Sequence, residues 1–415
     1  MHTKQQVYYR QYQHLALPGS ELIQQHRQHA LEKLSNLGLP DQKDEDWNYL
    51  RIPSLAHRYN NDAVLNQATM SFLTNCKLTQ GLVFIDGHYQ ACLSKLPQLH
   101  ALKICSLPEL LVEQPDSLIP YLKINNQENH FFYQLNQTFL NKGAYIHIQT
   151  SLQDPLELIF ITTESDQFIP LHIMIIAEEN TQARIVQRYL TRNADHYFTN
   201  TVTSLHLAAH SQIEHSTHIH EAKTASHIAY IKAQQNYKSQ LHLHSFIQQG
   251  AFVRNEIEVH LAQTQAQCHL NGLYLASDQQ QVAQHTRVIH KAAKSISRQL
   301  YKGVLDQEAH ASFKGSIMAY PEAIGAEAKQ LNKNLLLSDK AEVNSRPQLE
   351  IFVDDIRCTH GATVGQLDPA ALFYLRTRGL SVTQARTHLI QAFIQECLAY
   401  MPLIKDTLEQ AHPLS

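Results

Sequence analysis

The chain has 415 residues with 43% apolar and 17% charged side chains and a formal net charge of −3, enough for two or three structural units with a large core. The low, balanced charge argues against a nucleic-acid-binding protein, which would depend on clustered Lys and Arg. No apolar run is long enough to span a membrane and the first residues lack a secretory pattern, so we expect a cytoplasmic protein without membrane contact.

The first predicted element is a helix that begins after Ser20, a residue suited to capping, and ends at Gly38 and Pro40. Trp47 follows in an acidic stretch, where we interpret it as a packing anchor at a domain edge, with a ligand platform as the alternative. These features define an N-terminal helical domain over residues 1–80.

Short alternating runs of apolar and polar residues dominate residues 81–365. In one of them Ile257, Val259 and Leu261 share a face, and such a period of two predicts strands with one buried face. Many short strands without intervening helices are typical of a sandwich, a barrel or a β-helix. The length of the region favours an elongated stacked solenoid, but the pattern alone does not choose.

Helical periodicity returns over residues 366–415. Asp368 is a suitable N-cap for one helix, and Gly379 fits the position just past its end. Ser381 can cap a second helix, which we expect to end at Pro402. Two short helices appended to a β body indicate either a docking element or a packed end-cap.

The common catalytic signatures are absent from this sequence: it contains no P-loop, dinucleotide-binding glycine motif, nucleophile elbow or HExxH zinc motif. The six cysteines form no CxxC pair, so a zinc ribbon or a thioredoxin-type site is disfavoured. We expect them to be thiols, most of them buried.

Cys358 and His360 are the most informative pair, because they lie two residues apart in a strand-like segment. Both side chains of an extended segment would lie on the same face. A thiolate and an imidazole can bind iron or zinc, but two ligands are too few for a closed site, so others would come from elsewhere in the fold or from a partner chain. A buried cysteine beside a hydrogen-bonded histidine is the simpler interpretation, and spacing alone favours it.

Two further polar groups have a structural and a functional interpretation. Paired histidines on strand faces can bind divalent metal, but a polar outer strand face is the favoured interpretation for a patch containing His206, His210, His215, His218, His220, His227, His242 and His244. A cationic cluster could bind an anion, but solvated strand faces and turns are favoured for His285, Arg287, His290, Ser297, Tyr301, Lys302 and Gly303.

Nearly the whole chain resembles the SufB/SufD family of iron–sulfur cluster assembly scaffolds. The resemblance is strongest in GLYL, HTRVIH, SRQLYKGVLD, FKGSI, NKNLLLS, RPQLEIFVDDIRCTHGATVG and FYLRTRG. Chains of the SufB type carry a glutamate where Gly361 stands here and a cysteine where Asn332 stands. The chain therefore resembles the SufD branch more closely.

This resemblance implies a mainly β fold, a right-handed parallel β-helix core flanked by N-terminal and C-terminal helical domains. It also implies a non-catalytic scaffold that pairs with a SufB-type subunit through the β-helix and docks a SufC-type ATPase through its C-terminal helices. An iron–sulfur cluster would be transient and shared with SufB, and reduced flavin is a further cofactor expectation for the complex, although no flavin motif is visible. The residues implicated are His360 and Cys358 as candidate iron or cluster ligands, and Tyr374, Arg376, Arg378 and Gly379 as the SufC docking surface.

Two alternatives stand beside this interpretation. The chain could be a purely structural partner that stabilises SufB, with no ligand role for His360. A carbohydrate-active enzyme built on a β-helix is the remote alternative, and the low charged fraction and the absence of a secretory signal disfavour it.

Overall fold

The structure is a computed structural model that describes residues 3–60, 81–96, 102–124 and 130–405. One cysteine of the sequence, Cys76, lies outside the described residues. The α-helices are α1 (Thr3–Gln13), α2 (Glu21–Leu37), α3 (Leu107–Glu113), α4 (Ile119–Ile124), α5 (Phe131–Thr138), α6 (Pro369–Thr377) and α7 (Val382–Leu398), and two 3₁₀ turns lie at Ala91–Leu93 and Pro115–Leu118. None of these helices is both long and apolar enough to cross a membrane.

Twenty strands make up most of the remaining described residues. They are β1 (Arg58–Tyr59), β2 (Gly81–Ile85), β3 (His88–Tyr89), β4 (Leu102–Ser106), β5 (Gly143–Ile148), β6 (Leu156–Thr162), β7 (Gln167–Ala177), β8 (Gln182–Thr191), β9 (Phe198–Leu207), β10 (Gln212–His220), β11 (Ser226–Gln235), β12 (Gln240–Gln249), β13 (Phe252–Leu261), β14 (Gln267–Ala276), β15 (Gln281–His290), β16 (Ile296–Leu305), β17 (His310–Ala319), β18 (Ala326–Leu336), β19 (Glu342–Ile351) and β20 (Ile356–Gln366).

The chain alternates between two sheets, so that from β7 onward each strand stacks on the one two positions earlier. From β5 onward, odd-numbered strands form one sheet that ends at β19, and even-numbered strands form the other, which ends at β20. The first sheet also contains β1 and β4, and the second also contains β2 and β3. All ladders between β5 and β20 are parallel; the antiparallel pairs are β2 with β3 and β4 with β5. This is a parallel β-helix with helices at both ends of the chain, which confirms the predicted fold class.

The corners of the coil repeat in backbone geometry rather than in residue type. At one corner, the backbone N–H of a residue with positive φ donates to a carbonyl of the next coil, as from His210 to Tyr237 at 2.9 Å. The same corner recurs once per coil at Asn180, His210, Lys238, Gln265 and Lys294. Because five positions share a conformation and not a side chain, no short repeat was visible in the sequence.

The apolar core fills the space between the two sheets, where alternate strand residues point inward. Further clusters cover the outer faces, so many strands are buried on both sides. Trp47, α2 and α5 pack with Phe168, Phe198 and Phe252 on the odd-strand sheet, and α7 covers part of the even-strand sheet. The expectation of one buried face per strand was therefore wrong for these regions.

The helical elements partly match their predictions. A helix follows Ser20 and ends before Gly38 as predicted, but Ser20 makes no side-chain capping bond. Helices α3 to α5, within residues 107–138, interrupt a region that was expected to hold only strands. The last long helix ends at Leu398, and Pro402 begins another helical stretch rather than ending α7.

Candidate partner interface and docking surface

The β-helix ends at an open coil formed by β19 and β20. Each of these strands pairs on one side, with β17 and β18 respectively, and within the described residues no strand covers the other side. Their side chains are half-buried or exposed, whereas those of earlier coils are mostly buried. An edge strand offers backbone donors and acceptors to another chain, so this end is suited to strand pairing with a partner.

Cys358 and His360 lie on β20 at this open end. Their register partners on β18 are Ala328 and Gln330, which are both buried, so the pair continues an inward-facing column of the coil. Cys358 is half-buried, and this burial raises the pKa of its thiol. His360 is exposed. The structure therefore confirms that the two side chains share a face, and His360 is not the buried, hydrogen-bonded histidine of the simpler interpretation.

The inward column below His360 becomes polar near the open end. Gln330 is fully buried, and neither its amide oxygen nor its amide nitrogen has a hydrogen-bond partner among the described residues. Leaving a buried polar group unpaired costs about 1–3 kcal/mol. Asn332, one step further along β18, accepts hydrogen bonds from Asn334 Nδ2 at 2.7 Å and from Ser345 Oγ at 2.8 Å, across the interior.

The two positions on which the resemblance to the SufD branch rests lie in this same region. Gly361 is paired in register with Leu331, whose Cδ2 would lie 3.2 Å from an added Cβ, so the neighbour would have to shift slightly for a side chain. Asn332, the second of these positions, is buried and serves as an amide bridge inside the coil. Neither position supplies a metal ligand here.

Within the described part of the chain, no group of three or more His, Cys, Asp or Glu side chains is arranged to hold a metal ion. Cys358 and His360 are thus at most a partial ligand set. Any iron or cluster bound here would need further ligands from outside the described residues, and a second chain at the open edge is one source of them.

The predicted docking residues lie on α6 and its C-terminal turn. Asp368 accepts a hydrogen bond from the backbone N–H of Ala370 at 2.9 Å, and Gly379 has a φ of 94°, so both predicted helix boundaries are confirmed. Helix α6 has no buried residue, and Phe373 and Tyr374 are 68% and 56% exposed.

Tyr374 and the nearby arginines form one exposed surface. The Arg378 guanidinium lies 5.3 Å from the Tyr374 ring centroid and donates to its hydroxyl at 3.3 Å, while Arg376 is exposed in the last turn. An exposed aromatic beside arginines is the composition of a protein-binding surface.

Helix α7, in contrast, is fixed to the β body. Its Cys397 is buried among apolar residues of β12, β14 and β16, and burial raises the pKa of that thiol to about 12. Lys302 Nζ lies 2.6 Å from Glu396 and donates to the Phe393 carbonyl at 2.5 Å. Lys333 approaches the same carboxylate at 3.1 Å. Ser381 forms a capping box with Gln384 at the start of this helix.

The histidine patch matches the expected polar outer strand face only in part, and most of its side chains are buried or half-buried. His215 and His227 lie in the interior of the coil, and His218 and His244 are buried on the outer face of the even-strand sheet. Burial lowers the pKa of His215 and His218 to about 4. One stacked pair does occur, because His242 and His269 have ring centroids 4.7 Å apart and nearly parallel planes.

The cationic group around His285 does not converge on one site. His285 and Arg287 lie on the outer face of the odd-strand sheet, while His290 and Ser297 point inward and hydrogen-bond to each other at 2.9 Å. Lys302 lies on the opposite sheet, under α7. The expectation of solvated faces was also wrong for most of these residues, since His285, His290, Ser297 and Lys302 are buried.

The cysteines were expected to be mostly buried thiols. All five in the described residues are free, but only Cys268 and Cys397 are buried, while Cys105 and Cys358 are half-buried and Cys92 is exposed.

Comparison with known proteins identifies the family. A family model described as "SUF system FeS cluster assembly, SufBD core domain" matches residues 160–393, more than half of the chain. The chain belongs to the SufBD family. A second model of this family, described as "SufBD protein N-terminal region", matches residues 2–157.

Relatives in the SufBD family extend along most of the chain. It is 29% identical over 397 residues to an iron–sulfur cluster assembly SufBD family protein of Synechocystis, covering 91% of this chain and 87% of that protein. It is 27% identical to the iron–sulfur cluster assembly protein SufD of Escherichia coli, with 91% and 89% covered. It is 22% identical to SufD of Bacillus subtilis, with 66% and 64% covered. The chain is thus a SufD-like member of an iron–sulfur cluster assembly family.

Proposed function

We propose that this chain is the non-catalytic SufD-type scaffold subunit of a cytoplasmic complex that assembles iron–sulfur clusters. In this proposal the open coil of β19 and β20 pairs with a SufB-type subunit, and α6 docks a SufC-type ATPase. The observation that carries the proposal is the position of His360: it continues an inward column of the coil, yet it is exposed because no further coil covers it.

The cluster is the cargo of this complex rather than a resident cofactor of the chain. His360 would contribute an imidazole at the subunit interface, and Cys358 a thiol whose raised pKa keeps it protonated until a metal or a partner cation stabilises the thiolate. The partner subunit would supply the remaining ligands. Reduced flavin is a second expectation for the complex, and it is tested by the flavin fluorescence that appears when the complex, purified without oxygen, is denatured in air.

The ATPase would act on this site mechanically. Helix α6 packs against α7 and has no buried residue, so it is the exposed part of the C-terminal unit, while α7 is anchored to β14 and β16. We propose that ATP-dependent dimerisation of the SufC-type subunit pulls on α6 and that α7 transmits the force to the last coils. This requires two arrangements of the interface, one closed and one with exposed ligands.

The central test is anaerobic co-purification of the chain with SufB-type and SufC-type subunits, followed by iron and sulfide analysis. His360→Ala is compared with Thr359→Ala, the neighbouring exposed residue whose side chain points to the opposite face of β20. We expect an intact complex for both variants and loss of bound iron or slower cluster assembly for His360→Ala alone.

Two outcomes separate the competing interpretations. An intact His360→Ala complex that builds clusters at the wild-type rate would show that the chain is a purely structural partner without a ligand role. Failure of the wild-type chain to co-purify with a SufB-type subunit would contradict the interface itself.

Val364→Lys, which places a charge on the exposed inward column of β20, should abolish pairing without unfolding the chain.

A further inference from the structure

The segment formed by residues 44–51, here called the N-terminal strap, crosses the outer face of the odd-strand sheet. It touches four strands of that sheet. At one end, the Arg51 backbone N–H donates to Gln281 Oε1 on β15 at 2.6 Å, and Gln281 Nε2 donates back to the Arg51 carbonyl at 3.2 Å. At the other end, the strap reaches β17 and β19, the last two strands of the sheet.

Trp47 anchors the strap. It is 5% exposed, and its ring is stacked with Phe252 at a centroid distance of 6.4 Å. The guanidinium of Arg254 lies 3.7 Å from the Trp47 ring centroid and donates to the Asp46 carbonyl at 2.9 Å. A buried ring combined with a cation–π contact fixes this part of the strap on β13. The interpretation of Trp47 as a packing anchor agrees with these contacts.

From this anchor, the acidic residues reach the open end of the coil. Asp46 forms an ion pair with Lys314 on β17. Arg346, on the edge strand β19, donates to the Glu45 carbonyl at 2.8 Å and to Glu45 Oε1 at 3.3 Å. The Arg346 guanidinium also lies 4.7 Å from the ring centroid of Tyr49. Lys314 and Arg346 are register partners, so the strap neutralises two adjacent cations on the last two strands.

An edge strand needs such support more than an interior strand does. β19 makes one ladder, with β17, and its residues are half-buried or exposed. Segments with few buried contacts open locally at low free-energy cost. The contacts to the strap exist only while β19 is paired with β17. They therefore stabilise the paired form and make local unpairing of β19 rarer.

We propose that the N-terminal strap clamps β19 in the extended conformation that a partner chain needs for strand pairing, and that Glu45 and Tyr49 belong to the partner-facing surface. The second part rests on the proposed function, because it assumes that the partner pairs at the open coil. Glu45 and Tyr49 are exposed and lie directly beside the edge strand, which makes the strap surface continuous with that edge.

The test uses a double variant, Glu45→Gln with Tyr49→Ala, which leaves the sequence of β19 unchanged. The control is Glu327→Gln, which removes the ion pair with Arg357 on the other edge strand but does not touch the strap. Hydrogen exchange is measured for residues 342–351 of the full chain. We expect exchange there to rise about threefold to tenfold in the double variant, consistent with the loss of one exposed ion pair and one cation–π contact, and to stay unchanged in the control.

The same variants are then titrated with the SufB-type subunit. A loss of affinity by a similar factor for the double variant, reduced at high salt, would support the proposal because an exposed ion pair is screened. Unchanged exchange in 342–351 would overturn the clamp, and raised exchange with unchanged affinity would overturn its link to pairing. If the wild-type chain binds no SufB-type subunit, the proposed function fails, whereas the exchange result still decides whether the clamp exists.

Discussion

The buried histidine His215 makes the stability of the β-helix depend on pH. Its side chain points into the coil interior from β10, in the same inward column set as the core residues Ile213 and Ile219. It is fully buried, and neither ring nitrogen has a hydrogen-bond partner among the described residues. Burial disfavours the charged imidazolium and lowers the pKa of His215 from 6.5 to about 4.

The sign of the effect follows from which state binds more protons. Between pH 6.5 and pH 4 the unfolded chain is protonated at His215 while the folded chain is not, so the free energy of unfolding falls as the pH drops through 6.5 and levels off below 4. The two pKa values and about 1.36 kcal/mol per pKa unit give the size of the effect. The free energy of unfolding is lower by about 2 kcal/mol at pH 5 than at pH 7.5.

The measurement is urea unfolding of the wild type and of His215→Gln at pH 7.5 and pH 5. For each chain we compare the change in the free energy of unfolding between pH 7.5 and pH 5. Any pH-independent cost of the substitution cancels in this comparison, and so do the contributions of the other histidines, which both chains contain. We expect the wild type to lose about 2 kcal/mol more than the variant on acidification. His388→Gln, at an exposed position on α7, is the control and should behave like the wild type. Equal losses for wild type and His215→Gln would refute the reasoning.

Three further predictions concern the C-terminal helices. Glu396→Gln removes the carboxylate beside the buried Lys302 ammonium, so it should raise hydrogen exchange in α7 and weaken binding of the proposed SufC-type ATPase. Because Glu396 is about half exposed, we expect a loss of only about 1–2 kcal/mol in the packing of α7. Asp368→Ala removes the N-cap of α6 and should cost about 1 kcal/mol, seen as faster exchange in that helix alone. Gly379→Ala forces a side chain into a positive φ with no steric contact, so it should lower the melting temperature and ATPase affinity, whereas Gly365→Ala, in extended backbone, should change neither.

Both ends of α6 and the start of α7 were predictable because capping is local chemistry. The predicted capping and terminating groups each act within three or four residues. Asp368 caps α6, Ser381 caps α7 together with Gln384, and Gly379 has the positive φ that suits the position just past α6. An Asp-Gly dipeptide is also a local signal, in this case for a tight turn. Asp86 and Gly87 both have positive φ and join the antiparallel strands β2 and β3. Patterns of this kind need no knowledge of the tertiary fold.

The environment of the histidines could not be predicted in this way. Alternation shows which residues share a strand face, but not which face of a stacked coil is interior, nor whether helices cover the outer face. His215 and His218 are on opposite faces of β10, yet both are buried. The sequence does not indicate that both are buried, because coverage depends on contacts between residues far apart in sequence, such as those of α7 with β14.

The sequence also did not show whether the strand face of Cys358 and His360 is covered, so the interpretation of this pair stayed open. Their column contains Ala328 and Gln330 one coil earlier, and those residues are buried. Cys358 and His360 would be core residues in any coil except the last; they are accessible because the chain leaves the β-helix at Gln366 and continues into α6. On β20 an inward-facing column ends in an imidazole, and within the described residues this edge strand pairs on one side only. We propose that another chain completes this surface. The simpler interpretation, a buried pair, thus describes the state that we expect these residues to reach in the assembled complex.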